Sequence, residues 1–205
     1  MSEDPHIRAR VGCTPDEVQR KTAFVEGLRN STVPNEELLD NIGLYLTRQT
    51  LSRISFMPRI YAQMIPVHGV IMEFGMRWGQ NLTLFTSLRG THEPYSYSRR
   101  TIGFDTFAGF PAVREQDGTG VAEGDHSMSV NWEEQLAQVL DFHEFNLPVP
   151  QKRKSELVRG NATETLSQYL ADHPETIAVQ EILGISRFVI RRDPGRPLTS
   201  WLVIE

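Results

Sequence analysis

The stretch from His68 to Asp105 constrains this chain more than any other. It opens with Gly69-Val70-Ile71-Met72-Glu73-Phe74, whose length and β-branched content suit a strand buried on both faces. Gly75 and Gly79 then bracket a tight turn, Asn81 is placed to cap a helix, and Leu82, Leu84, Phe85 and Leu88 give that helix a short apolar body that Gly90 is expected to stop. A second apolar strand, Thr101-Ile102-Gly103-Phe104, ends like the first on an acid, Asp105. Strand, glycine turn, helix and strand in that order predict an α/β fold with neighbouring parallel strands.

In open α/β sheets ligands bind beyond the carboxyl ends of the strands, and an acid ending the second strand holds ribose hydroxyls of nucleotide-like cofactors. Glycines there let the backbone approach a ligand that a side chain would block. The spacing is G-x-x-x-G, not the G-x-G-x-x-G of dinucleotide sites, and Asp105 comes later than the usual distance of about 20 residues. Glu73, ahead of the first glycine, would repel a diphosphate but attract a cation. S-adenosylmethionine fits this pattern, with an ammonium, a cationic sulfur and no phosphate. Either glycine alone reads as an ordinary sheet-to-helix turn; the complete series favours the cofactor.

With 205 residues, the chain is expected to form a single domain spanning 1–205, with N-terminal helices over 14–64 packing on the sheet. A net charge of -5 and scattered basic residues give no footprint for nucleic acid. Lys152-Arg153-Lys154 and Arg191-Arg192 read as solvated charge. The single cysteine, Cys13, excludes an internal disulfide and suggests a cytoplasmic location. No run approaches the roughly 18 apolar residues of a membrane span, so no membrane partner is expected.

Thr14-Pro15-Asp16-Glu17 is a capping box with proline at the first helical position. Asn35 to Met64 has helical spacing, interrupted by Gly43 and ended or kinked near Pro58. THEPYSYSRR reads as a surface loop, whereas the aromatic run Thr106-Phe107-Ala108-Gly109-Phe110-Pro111 suits the wall of a ligand site. Ala112 to Val130 reads as a substrate lid, carrying Glu115, Asp117, Glu123, Asp125 and His126. Asn131-Trp132-Glu133-Glu134 resembles a second capping box, opening a helix with His143 on its apolar face as a core imidazole. Ser155 to Val158 is a third strand, followed by the turn Gly160-Asn161-Ala162 and a helix over Thr163 to Ala171. Two strand-like segments, Arg187 to Arg192 and Ser200 to Ile204, close the chain.

The segments LYLTRQTLSRISFMPRIYAQM, GVIMEFGMRWGQNLTLFTSLRG and IGFDTFAGFP resemble the macrocin O-methyltransferase family, in particular its bacterial branch acting on deoxysugars of natural-product glycosides. The resemblance covers most of the chain from about Asn35 onward, and GFDTF-x-GFP is its most specific part. It implies a Rossmann-like class I methyltransferase sheet with flanking helices and an S-adenosylmethionine-dependent sugar O-methyltransferase, often metal-assisted and often a homo-oligomer. The candidate cofactor-binding residues are Glu73, Gly75, Trp78, Gly79, Asn81, Asp105, Thr106, Phe107, Asn161 and Ala162. Glu73, Gly75, Gly79 and Asn81 would hold the amino acid end and Asp105 the ribose. Trp78 would fill the turn region, with Phe107 and Asn161 toward the adenine; the family usually has an acid where this chain has Asn161.

The resemblance also exposes a gap. The fourth and fifth strands of the family sheet are missing near Glu175, together with the acids that bind a divalent metal such as Mg2+ and orient the sugar hydroxyl. No catalytic residue or metal ligand is therefore assigned. An internal deletion accounts for this best; the competing account is a natural minimal version recruiting lid acids such as Asp117, Glu123 or Asp125. The expected function is O-methylation of a nucleotide-linked deoxysugar, a small-molecule substrate, in natural-product biosynthesis. The alternative is a non-catalytic, cofactor-binding remnant or oligomer subunit of such an enzyme.

Overall fold

The computed structural model describes residues 14–109 and 128–173, and the backbone of residues 188–193 and 196–204. The chain divides between Phe56 and Met57 into two compact units. In the first, α1 (Pro15–Arg29) starts on the predicted capping box: the Thr14 hydroxyl accepts from the Glu17 N–H at 3.3 Å, and the Glu17 carboxylate accepts from the Thr14 N–H at 2.8 Å. A short helix, α2 (Asn35–Leu38), and a 3-10 turn over Ile42–Tyr45 come next. The Tyr45 hydroxyl donates to Ser31 at 2.8 Å, and its ring lies 6.0 Å from that of Phe24. Helix α3 (Arg48–Met64) crosses the boundary and continues past Pro58, so the proline does not end it.

The second unit is built on β1 (Ile71–Phe74), β2 (Thr101–Asp105) and β3 (Ser155–Arg159), in the spatial order β1-β2-β3 and all parallel. Parallel neighbours need a crossover, supplied by α4 (Gln80–His92) and by α5 (Trp132–Phe145); α6 (Ala162–Asp172) succeeds β3. Because side chains alternate along β2, Ile102 and Phe104 pack with Tyr169 of α6, while Gly103 faces the opposite side. There a Cβ on Gly103 would stand 1.8 Å from the Met76 sulfur and 2.8 Å from Leu82, so any side chain would have to displace both. Met76, Leu82, Leu136 and Leu140 form the core on that face. The fold is therefore the expected α/β sheet with flanking helices, with three parallel strands among the described residues. Two further strands, β4 (Phe188–Asp193) and β5 (Arg196–Ile204), pair antiparallel as a separate hairpin; the second begins before the expected Ser200.

Four local expectations are corrected. Helix α4 does not stop at Gly90 but runs to His92; a Cβ at Gly90 would meet the Leu147 methyl at 2.0 Å and push it aside. Asn81 does not cap α4, whose N-cap is the left-handed Gly79; the Asn81 amide instead donates to Glu73. Asn131 adopts φ 65° and its side chain makes no capping bond. Lys154 is not solvated but 3% exposed, beside the buried pair of Arg89 and Glu144. The THEPYSYSRR connector likewise holds an anchor. Arg99 donates to Glu93 at 3.0 Å and to the carbonyls of Gly69 and Met64, each at 3.0 Å, so it ties the start of β2 to the approach to β1. Burial opposes ionisation of Glu93, but hydrogen bonds from Arg99 and Tyr61 and the Arg99 charge outweigh it and hold the carboxyl below its ordinary value.

Candidate cofactor site

The carboxyl ends of β1, β2 and β3 are drawn together by Asp105. Its Oδ2 accepts from the backbone N–H of Arg77 at 2.8 Å, in the turn between β1 and α4. Its Oδ1 accepts from the N–H of Phe107 at 2.8 Å, in the loop after β2, and its carbonyl accepts from the N–H of Gly160 at 2.9 Å, in the turn after β3. One residue thus fixes all three turns. A carboxylate offers about four acceptor positions. The two N–H contacts leave it capacity for hydroxyl groups.

The turns around it are strongly bent. Arg77 has φ 53° and Phe107 φ 56°, a left-handed conformation that non-glycine residues seldom adopt and that clusters at ligand sites. The two turn glycines have different reasons to be there. Gly75, at φ 70°, has no atom within 4 Å of where a Cβ would stand, so its backbone borders open space. Gly79, also at φ 70°, lies under Leu136, whose methyls would be 2.6 Å from a Cβ. Gly75 suits the approach of a ligand; Gly79 serves helix packing.

Glu73, the next-to-last residue of β1, accepts from the Asn81 amide at 2.9 Å, so Asn81 orients the carboxylate from the second position of α4. Trp78 is 38% exposed and meets Trp132 edge-on, with ring centres 5.0 Å apart. The Thr106 hydroxyl donates to the Gly109 carbonyl at 2.7 Å and accepts from the Ala108 N–H, which folds the loop back on itself. Phe107 packs against the core of Met76, Leu82, Leu136 and Leu140. Asn161 caps α6, its Oδ1 accepting from the N–H and the hydroxyl of Thr163, while Ala162 packs against the Ile102, Phe104 and Tyr169 cluster.

The Glu73–Asn81 pair and the Asp105-centred turns therefore stand on neighbouring parallel strands. Sequence reasoning missed Arg77, whose left-handed backbone no side-chain pattern announces. The expected lid lies outside the described residues up to Ser127, and with it Asp117, Glu123, Asp125 and His126. His143 contacts Ser87 at 3.1 Å, and burial lowers its pKa, as suits a core imidazole.

A cleft of about 610 Å³ opens elsewhere, along the outer edge of β3, lined by Ala137, Ser155 and Leu157 with Arg100 and Glu156. None of the candidate cofactor residues lines it. Arg100 is engaged by Glu156, and Arg153 by Asp141, so its charges largely answer one another. Two acids at the carboxyl ends of neighbouring strands favour the turns around Asp105 over this cleft as the candidate site. Among the described residues no three His, Cys, Asp or Glu side chains gather as a metal site, and no helix is long and apolar enough to cross a membrane.

No protein-family model and no curated protein matches the sequence. Solved structures do. A crystal structure of CalS11, a calicheamicin methyltransferase, is 31% identical, with 100% of this chain and 97% of that one covered at a TM-score of 0.80. The apo structure of CalS11, described as a TDP-rhamnose 3'-O-methyltransferase of calicheamicin biosynthesis, is 28% identical over 98% and 99% of the two chains at a TM-score of 0.71. With that identity across nearly both whole chains, and with the GVIMEFGMRWGQNLTLFTSLRG and IGFDTFAGFP segments, the chain belongs to the macrocin O-methyltransferase family, in the branch that includes CalS11.

Proposed function

We propose that this protein is an S-adenosylmethionine-dependent O-methyltransferase that acts on a nucleotide-linked deoxysugar in natural-product biosynthesis. The observation that carries the reading is Asp105, a carboxylate at the end of β2 held by two backbone N–H groups with acceptor capacity to spare. Vicinal ribose hydroxyls suit it. Glu73, oriented by Asn81, would meet the ammonium of the amino acid end, and the open space at Gly75 would admit the ligand backbone. Phe107 and the turn at Asn161 and Ala162 would lie toward the adenine. When bound, the cofactor would supply a methyl group on a cationic sulfur for transfer to an alcohol oxygen, the C–S bond breaking as the O–C bond forms and S-adenosylhomocysteine leaving.

The chain is proposed to work in the cytoplasm as a single-domain subunit of a homo-oligomer. Mg2+ enters the proposal only as a component to test, because the family's metal ligands are not identified in this sequence. We attribute their absence to an internal deletion near Glu175. A second reading rests on the same gap: with three parallel strands described, the chain would keep the cofactor half of the site and serve as a non-catalytic subunit. Incubation with methyl-labelled S-adenosylmethionine, Mg2+ and a panel of thymidine diphosphate deoxysugars separates them. Transfer of label to a sugar is expected. Cofactor binding without transfer to any acceptor would leave the subunit reading standing, and absence of cofactor binding would sink both.

A further inference from the structure

Arg77 is the one cation in the turn between Glu73 and Asn81, and no carboxylate pairs with it among the described residues. The side chain is exposed, yet its starting point is fixed, because the Arg77 N–H is bound to Asp105 and the backbone is held at φ 53°. Its guanidinium carbon lies 6.0 Å from the centre of the Trp78 ring, at the outer limit of a cation–π contact. Trp132, edge-on to the same indole, keeps its Nε1–H buried without an acceptor. Two donor groups that adjoin Trp78 thus have no anionic or carbonyl partner among the described residues. A left-handed, anchored backbone carrying an exposed charge next to the open space at Gly75 is poorly explained by packing.

We propose that Arg77 receives the carboxylate of the cofactor's amino acid end, an inference that rests on the methyl-donor reading. The ammonium and carboxylate of an amino acid leave the same carbon. If Glu73 meets the first, the second falls near the same turn, where Arg77 is the one cation. Guanidinium is suited to this, since its planar fork can give a carboxylate two parallel hydrogen bonds. Phosphate of a nucleotide-linked sugar is the other anion that could reach the turn, and the test separates the two sources.

Calorimetry on the full chain would compare wild type, Arg77→Ala and Arg77→Lys with three ligands: S-adenosylhomocysteine, its decarboxylated analogue and thymidine diphosphate. Loss of a charge-assisted bidentate contact weakens binding by about tenfold or more. That loss is expected for S-adenosylhomocysteine with Arg77→Ala, a smaller one with Arg77→Lys, and no change with the decarboxylated analogue or with thymidine diphosphate. Wild type should itself prefer S-adenosylhomocysteine over the analogue by a similar factor, a measure that does not depend on the variants folding. Equal weakening of both adenosyl ligands, or a loss confined to thymidine diphosphate, overturns the assignment. Wild type that binds S-adenosylhomocysteine no better than its decarboxylated analogue does the same. Failure of wild type to bind S-adenosylhomocysteine at all would instead overturn the methyl-donor reading.

Discussion

At the scale of single residues, Asp105 is both a strut and a ligand candidate, and the two roles make different demands. As a strut it accepts one N–H from each of two left-handed turns; the Arg77 contact is exposed and the Phe107 contact half-buried, so water can answer much of what its replacement leaves open. As a ligand group it would hold the ribose alone. Asp105→Ala is expected to abolish detectable binding of S-adenosylhomocysteine by calorimetry while a thermal melt still shows a folded protein. Unchanged affinity in a folded variant would end the ribose assignment. The acid was legible in the sequence because it closes an apolar strand, a pattern fixed by composition. Arg77 was not, because what places it is a backbone angle and a hydrogen bond to a residue 28 positions away. Gly103 was hidden for a related reason: its need for hydrogen in place of a side chain comes from Met76 and Leu82 above it.

At the scale of elements, α4 and α5 are joined by charge as well as by apolar packing. Arg89 of α4, 1% exposed, donates to Glu144 of α5 at 2.6 Å, and Glu144 also accepts from the Lys154 N–H ahead of β3. Burial opposes ionisation of Glu144, but the Arg89 hydrogen bond and charge outweigh it, so the folded pKa lies below the ordinary value. Burial and the Arg89 charge push Lys154 down. Removing the carboxylate strands a buried guanidinium, so Glu144→Ala is expected to cost about 3 to 5 kcal/mol in urea unfolding at neutral pH. The depressed carboxyl sets the sign with pH. Its stabilisation is complete above the unfolded value near 4.3 and is lost as pH falls through the folded value. Wild type should therefore lose stability more steeply than Glu144→Ala once pH falls below about 4.3, and parallel pH profiles would refute this account. None of this pairing shows in local sequence, since Arg89 and Glu144 lie 55 residues apart. The Thr14 capping box was readable because both of its bonds span three residues. The Asn131 box failed because a left-handed cap residue turns its side chain away from the bonds the motif needs.

At the scale of the whole molecule, the order β1-β2-β3 puts one fully paired strand between two edges. The chain announced this arrangement through its two acid-ended apolar runs and the helical stretches between them, whereas the number of strands is a property of pairing that no local pattern fixes. Ile71 and Gly75 donate to β2, through the carbonyls of Arg100 and Phe104, so alternation turns the N–H groups of Met72 and Phe74 toward the opposite edge of β1. Phe74 is 44% exposed there, and no described strand lies beyond it. In β3, Gly160 donates back to Asp105, which turns the N–H groups of Leu157 and Arg159 outward in the same way. Amide hydrogen exchange reads this directly, because protection tracks hydrogen-bonded pairing and burial. Ile102, Gly103 and Phe104 should exchange slowest, Ile71 and Gly75 should be protected, and Met72, Phe74, Leu157 and Arg159 should exchange much faster than their immediate neighbours. Protection of Met72 and Phe74 equal to that of Gly103 would mean that another strand occupies the β1 edge. The same measurement therefore shows whether the sheet extends beyond the three described parallel strands.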